Sequence, residues 1–181
     1  IMATNPVVSL PDADKVKEAL QRCELVVVSD CVERTDTNAL AHVLLPAAGW
    51  SEKDGTVTNS DRRISRQRAF APLAGEAKPD WWIISQVAKR MGFEQAFDFN
   101  AASDVFREHA RLSSTNNDGA RAFDIGGLAQ LSQEQFDALE PIQWPIPSVG
   151  LPGRARVLSD GRFFHPDGKA RFIATTPQAP V

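Results

Sequence analysis

At 181 residues, 43% hydrophobic and 24% charged, the chain has the composition of one globular domain, or of one domain with an appendage. A formal net charge of −3 argues against nucleic acid or an anionic membrane as partner, and no apolar run approaches the roughly 20 residues that span a bilayer. Cys23 and Cys31 are too few for a disulfide framework or a four-thiolate cluster and read as a reduced cytoplasmic pair, and this segment opens on no secretory leader.

Ile1 to Ala3 reads as a strand entered at its middle, which marks the chain as an excised piece of a longer protein. Pro6 ends that strand. Asp12 or Asp14 then caps a helix over Ala13 to Arg22, with Val16, Ala19 and Leu20 on one face. Leu25 to Ser29 is a β-branched run suited to a strand buried on both faces. A short helix over Asp36 to Ala41 precedes a third buried strand, His42 to Leu45, which ends at Pro46. This alternation predicts an α/β fold with a Rossmann-like parallel sheet flanked by helices.

Beyond the Asp54-Gly55 turn, Thr56 to Asn59 and Arg63 to Phe70 read as an arm or hairpin. Asp80 caps a helix over Trp81 to Met91, which Gly92 stops. Ser103 opens another over Asp104 to Leu112, and the polar stretch Ser113 to Gly119 reads as a mobile loop. Ser132-Gln-Glu-Gln135 is a capping box for a short helix to Leu139. Glu140 to Pro152, with four prolines, reads as a linker outside the core. Gly161 to Ile173 forms a β-hairpin around Pro166-Asp-Gly168, and Thr175 to Val181 frays. Domains are therefore expected over 1–139, the α/β domain, and 140–181, a linker and hairpin.

The candidate site residues collect where strands end, the place at which ligands bind in open α/β sheets. Asn5 follows the first strand and precedes proline, so its amide projects from a fixed turn; it suits either a heterocycle or phosphate contact, or a self-stabilising Asx turn. Ser29-Asp30 ends the second strand, where an acid can accept from ribose hydroxyls or cap the next turn. Lys53 follows the third strand and can neutralise a phosphate as a compact charge. Asp80 is first a helix cap and second a ligand group. His42, His109 and His165 are too scattered for a metal site. No G-x-G-x-x-G, P-loop, G-x-S-x-G or H-E-x-x-H is present, so no catalytic or metal residue is assigned. Arg62, Arg63, Arg66 and Arg68 form the one basic cluster, which reads as a solvated or interdomain face.

Taken in order, several segments resemble the bacterial molybdopterin oxidoreductases. These are Thr4-Asn5-Pro6, Val28-Ser29-Asp30, Leu45 to Gly55, Asn59 to Arg63 and Gly75 to Trp82. Phe136 to Pro145 and Phe164 to Phe172 are most similar to the assimilatory nitrate reductase branch. The resemblance covers nearly the whole chain and is most specific in its first eighty residues.

It implies a domain that binds one of the two molybdopterin guanine dinucleotides of a Mo-bis-molybdopterin guanine dinucleotide cofactor. Asn5 then serves the pterin end, Ser29 belongs to the same site, Asp30 and Asp80 meet guanine or ribose, and Lys53 meets phosphate. The implied reaction of the parent is two-electron reduction of nitrate to nitrite by oxygen-atom transfer, fed through a 4Fe-4S cluster. The cluster cysteines and the metal ligand fall upstream of Asn5 in this family, and the last cofactor-binding domain begins after Pro177. The piece is thus expected to supply part of one site and to be inactive alone. Its implied partners are the remaining domains of a cytoplasmic enzyme and an electron-donor protein. The alternatives are a formate dehydrogenase, a periplasmic nitrate reductase, the scaffold domain of the complex I iron–sulfur subunit, or an independent nucleotide-binding module.

Overall fold

The computed structural model describes residues 1–177, so the end of the stretch expected to fray lies outside the described residues. The chain divides into two compact units, Ile1–Thr56 with Arg66–Val105, and Val57–Ser65 with the residues from Phe106 onward. This differs from the expected boundary at 139/140, because Ile142 and Ile146 pack into the core of the second unit.

The first unit is built on a parallel sheet. Strands β1 (Val27–Asp30) and β2 (Val43–Pro46) pair in parallel, from Val27 opposite Val43 to Asp30 opposite Pro46. Met2 bridges Ser29 in parallel on one side and Ala47 bridges Lys78 in parallel on the other. The expected first strand survives as backbone bonds: Ser29 N–H donates to the Ile1 carbonyl and Ala3 N–H to the Ser29 carbonyl, both at 2.9 Å. Val26, Val28 and Ser29 are buried, as a run covered on both faces requires. β2 departs from the expected buried strand, since Val43 and Leu44 are 41% and 45% exposed. No described element covers that part of the sheet.

Single-turn helix α1 (Pro6–Ser9) and helix α2 (Ala13–Gln21) follow the first strand segment. Asp12 does not cap α2 with its side chain: its φ of 54° lies in the left-handed region, whereas a capping residue is normally extended, and its carboxylate pairs with Lys15 at 2.9 Å instead. The helix expected over Asp36 to Ala41 contracts to a 3-10 turn, Asn38–Leu40. Strands β3 (Gly55–Thr58) and β4 (Arg63–Gln67) are hydrogen-bonded neighbours joined by a short loop, the expected hairpin. Helix α3 (Asp80–Arg90) buries Ile83, Ser85 and Ala88, and Gly92 with φ 92° ends it.

The core of the second unit is Ile64, Phe106, Ala110, Ile125, Leu128, Phe136 and Ile146. Phe106 lies on helix α4 (Ala102–Ser114) and Phe136 on helix α5 (Gln133–Asp137), with ring centroids 5.4 Å apart. The capping box forms as expected, with Gln135 N–H donating to Ser132 Oγ and Ser132 N–H to Gln135 Oε1.

Strand β5 (Ile142–Gln143) pairs antiparallel with β4. The proline-rich stretch is therefore part of the core: Ile146 is only 1% exposed, because prolines remove donors without preventing a neighbouring side chain from packing. The tail differs too. Phe163 N–H donates to the Gly168 carbonyl and closes a turn, but no described residue of 161–177 is in a strand. Phe172 and Ile173 are 96% and 81% exposed, and a two-stranded ladder with no face to bury is marginal.

The segment expected to be a mobile loop is tied down by one side chain. Asn117 is 1% exposed; its Nδ2 donates to the carbonyls of Ser113 and Phe123, and its Oδ1 accepts the Arg121 amide at 2.8 Å. Asn117→Ala strands these buried groups and should lower stability by about 2 kcal/mol, read as a fall in the urea midpoint. An unchanged midpoint would contradict the network.

Candidate functional site

The sheet of the first unit brings four carboxyl-terminal strand ends to one side. Asn5 follows the Met2 bridge, Asp30 ends β1, Ala47 to Lys53 follow β2, and Asp80 follows the Lys78 bridge. Asn5, Asp30, Lys53 and Asp80 line a single cavity of about 290 Å³, together with Cys31, Gly49 and Trp50. Four of the five residues singled out in the sequence are thus gathered by topology, from positions spread over 76 residues.

Ser29 is not among them. Within β1 successive side chains point to opposite faces, so Ser29 points away from the side that Asp30 takes. Ser29 is 2% exposed, its Oγ has no partner, and it lines a different depression with Ile1, Met2, Ile84 and Val87.

Each of the four has a defined local role. Asn5 Oδ1 accepts the Thr37 hydroxyl at 2.6 Å and the Thr37 N–H at 3.2 Å, so its side chain bridges 32 residues rather than closing an Asx turn on itself. Asp30 Oδ1 accepts the Val32 N–H at 3.0 Å, the turn-capping contact that strand-end acids make. Lys53 Nζ and Asp80 Oδ2 form an ion pair at 2.7 Å, with side chains 30% and 31% exposed. Asp80 is not the cap of α3: Pro79 occupies that position and Asp80 sits in the first turn, where its charge complements the helix dipole. Its Oδ1 is buried without a partner, an unused acceptor on the cavity wall.

The loop that carries Lys53 is shaped from within. Glu52 Oε2 accepts the Gly49 N–H at 2.7 Å and Oε1 accepts the Ala74 N–H at 3.0 Å. Arg66, whose side chain is 3% exposed, donates to Asp54 Oδ1 at 2.8 Å and to the carbonyls of Gly55 and Gln67.

Two arginines of the basic cluster, Arg66 and Arg62, are therefore tied into the fold rather than left on a solvated face. In the second unit, Arg62 donates to the carbonyls of Trp144, Arg154 and Ala155 and stacks over the Trp144 ring. Arg66→Met should cost about 2 kcal/mol, because it takes the donor of a buried side chain from the carbonyls of Gly55 and Gln67, and would appear as a lower melting temperature.

A second depression of about 650 Å³ shares Asp30, Cys31, Val32, Ala47 and Gly49 with the first. Asp30 stands at their junction, so an elongated ligand can reach both. The donor set suits a group that has both an anionic portion, for Lys53, and hydroxyl or N–H donors, for Asp30 and the free Asp80 oxygen. Sequence reasoning missed Thr37, Gly49 and Trp50. Nothing in the local pattern around Thr37 signals a contact with Asn5, because the pair is made by the fold. No helix among the described residues is long and apolar enough to cross a membrane.

Comparison with known proteins bears on this geometry. Residues 1–90 match the family model described as molybdopterin oxidoreductase. The chain is 55% identical over 179 residues to a nitrate reductase of Klebsiella oxytoca, an alignment that covers 98% of this chain and 20% of that protein. It is 35% identical over 184 residues to the assimilatory nitrate reductase catalytic subunit of Bacillus subtilis, covering 100% of this chain and 24% of that one. It is also 36% identical over 172 residues to the F420-dependent formate dehydrogenase 2 subunit alpha of Methanococcus maripaludis, covering 95% and 23%. The solved structure of acetylene hydratase from Pelobacter acetylenicus shares the fold, with a TM-score of 0.62 at 22% identity over 92% of this chain and 20% of that one. The chain spans about one fifth to one quarter of the length of these relatives.

Proposed function

We propose, from this chain's membership of the molybdopterin oxidoreductase family, that it is a segment of the catalytic subunit of a nitrate reductase and supplies part of one molybdopterin guanine dinucleotide site. The observation that carries the substrate assignment is the 55% identity over 98% of the chain to a nitrate reductase, against 36% over 95% and 44% over 62% of the chain to formate dehydrogenases. When bound, the cofactor supplies the two-electron chemistry at molybdenum that takes an oxygen atom from nitrate. This chain's residues bind and orient it.

The cavity residues fit part of such a group. Lys53 provides the cation for a phosphate, while Asp30 and the unpartnered Asp80 oxygen accept from ribose hydroxyls or a guanine edge. Asn5 serves the pterin end. Residues of Ile1–Thr56 and Arg66–Val105 form this wall, and the remaining domains of a cytoplasmic enzyme close the site, carry the 4Fe-4S cluster and meet the electron donor.

The test is a full-length enzyme carrying this segment, purified and assayed with a reduced viologen dye. Nitrate-dependent dye oxidation with bound molybdenum and guanine nucleotide is the expected result. Formate oxidation without nitrate reduction would transfer the segment to the formate branch, and a protein with no molybdenum at all would make it a scaffold.

A further inference from the structure

Asn5 lines the cavity, but the residue that decides what it offers to a ligand lies outside the lining. Thr37 is fully buried. Its hydroxyl donates to Asn5 Oδ1 at 2.6 Å, its backbone N–H donates to the same oxygen at 3.2 Å, and its Oγ1 accepts the Val7 N–H at 3.2 Å. A primary amide is two-faced, and a half-turn about its last side-chain bond exchanges acceptor for donors. Here that half-turn would place the Asn5 NH2 against the Thr37 backbone N–H, which cannot reverse its polarity. The hydroxyl could turn to accept, but the backbone donor would remain buried and unpaired. No protein group engages Asn5 Nδ2 among the described residues.

We propose that Thr37 is a positioning residue that locks the Asn5 carboxamide with its oxygen inward, so that Asn5 acts on the cofactor only as a donor and the cofactor atom it meets is a hydrogen-bond acceptor. The inference rests on the cofactor reading given above and adds the polarity of one contact and the residue that imposes it. Lys53 on the same wall is also a pure donor, so the two together present donors to an acceptor-rich portion of the ligand.

The test uses the full-length holoenzyme and measures loss of molybdenum and pterin per polypeptide after dilution, with thermal unfolding of the cofactor-free protein as the control for folding. Thr37→Val keeps the side-chain shape and the backbone donor that sets the polarity but removes the shorter of the two bonds holding the amide in place; it should speed cofactor loss about tenfold, the size of one net hydrogen bond. Thr37→Ser should restore the wild-type rate to within about twofold. Asn5→Asp preserves the oxygen that Thr37 holds but replaces the donor, and should lose cofactor at least as fast as Asn5→Ala. In the Asn5→Ala background, Thr37→Val should add nothing.

Equal acceleration by Thr37→Val with and without Asn5 would overturn the positioning role. So would failure of Thr37→Ser to rescue a normally folded protein. Wild-type retention in Asn5→Asp would overturn the donor assignment. A wild-type enzyme that holds no molybdopterin would sink the cofactor reading itself, whereas wild-type retention with additive effects would sink this inference alone.

Discussion

Replacing Lys53 by glutamate in the full-length enzyme should leave the protein folded but nearly free of cofactor. Lys53 pairs with Asp80 at 2.7 Å on the wall that Asp30 and Asn5 also line. The substitution removes the one cation of that wall and sets a third carboxylate beside Asp30 and Asp80, so an anionic ligand meets repulsion where it had attraction. Losing a close charge contact in a partly desolvated site costs about 3 kcal/mol, or roughly a hundredfold in affinity.

Lys53→Met separates the two contributions. It removes the cation and adds no repulsion, so its loss should be smaller, nearer tenfold. Both side chains of the pair are about a third exposed, so the fold itself should tolerate either change with a melting temperature within a few degrees of wild type. Molybdenum and pterin content per polypeptide are the measurements. Full cofactor occupancy in Lys53→Glu would remove Lys53 from the site.

Phe136→Ala should have the largest effect on stability. Its ring is fully buried, packs at 5.4 Å from the Phe106 ring, and belongs to a core of seven buried residues among the described residues. Truncating a buried phenylalanine costs about 3–5 kcal/mol in lost transfer energy and cavity, against a total of about 5–15 kcal/mol for a typical domain. Phe136→Leu should cost about 1.5 kcal/mol or less, because most of the volume is kept. Since the chain has two compact units, the melt should be followed by hydrogen exchange. Protection should fall in α4, α5 and β5, while β1 and β2 keep theirs. Uniform loss across both units would show that they unfold as one.

Local chemistry made much of this legible in advance. The β-branched run ending at Asp30 became β1, the Ser132–Gln135 box became a capped helix, and the Asp54-Gly55 turn opened a hairpin. The capping box and the turn depend on contacts within a few residues, which a linear pattern records; β1 is legible from its own side-chain types, although its partners lie sixteen or more residues away.

The misreadings share one cause. Asp80 reads as a helix cap because the grammar of caps is local, yet its partner is Lys53, 27 positions earlier. Asn117 reads as part of a mobile loop because it is polar, yet it is buried and fully bonded. Ile146 lies among prolines and still closes a core. The tail has strand-like residues and a good turn, but nothing among the described residues for its apolar side chains to pack against.

The sequence alone determined the family resemblance and the candidate residues: Asn5 and Asp30 stand at the ends of runs with strand chemistry, Lys53 follows in the loop after β2, and parallel strands deliver their ends to one side. Tertiary structure decided which of them share a cavity. It turned Ser29 away by the alternation of a strand and put Asp80 beside Lys53. It also fixed the Asn5 amide through Thr37, a contact across 32 residues that no local spacing encodes.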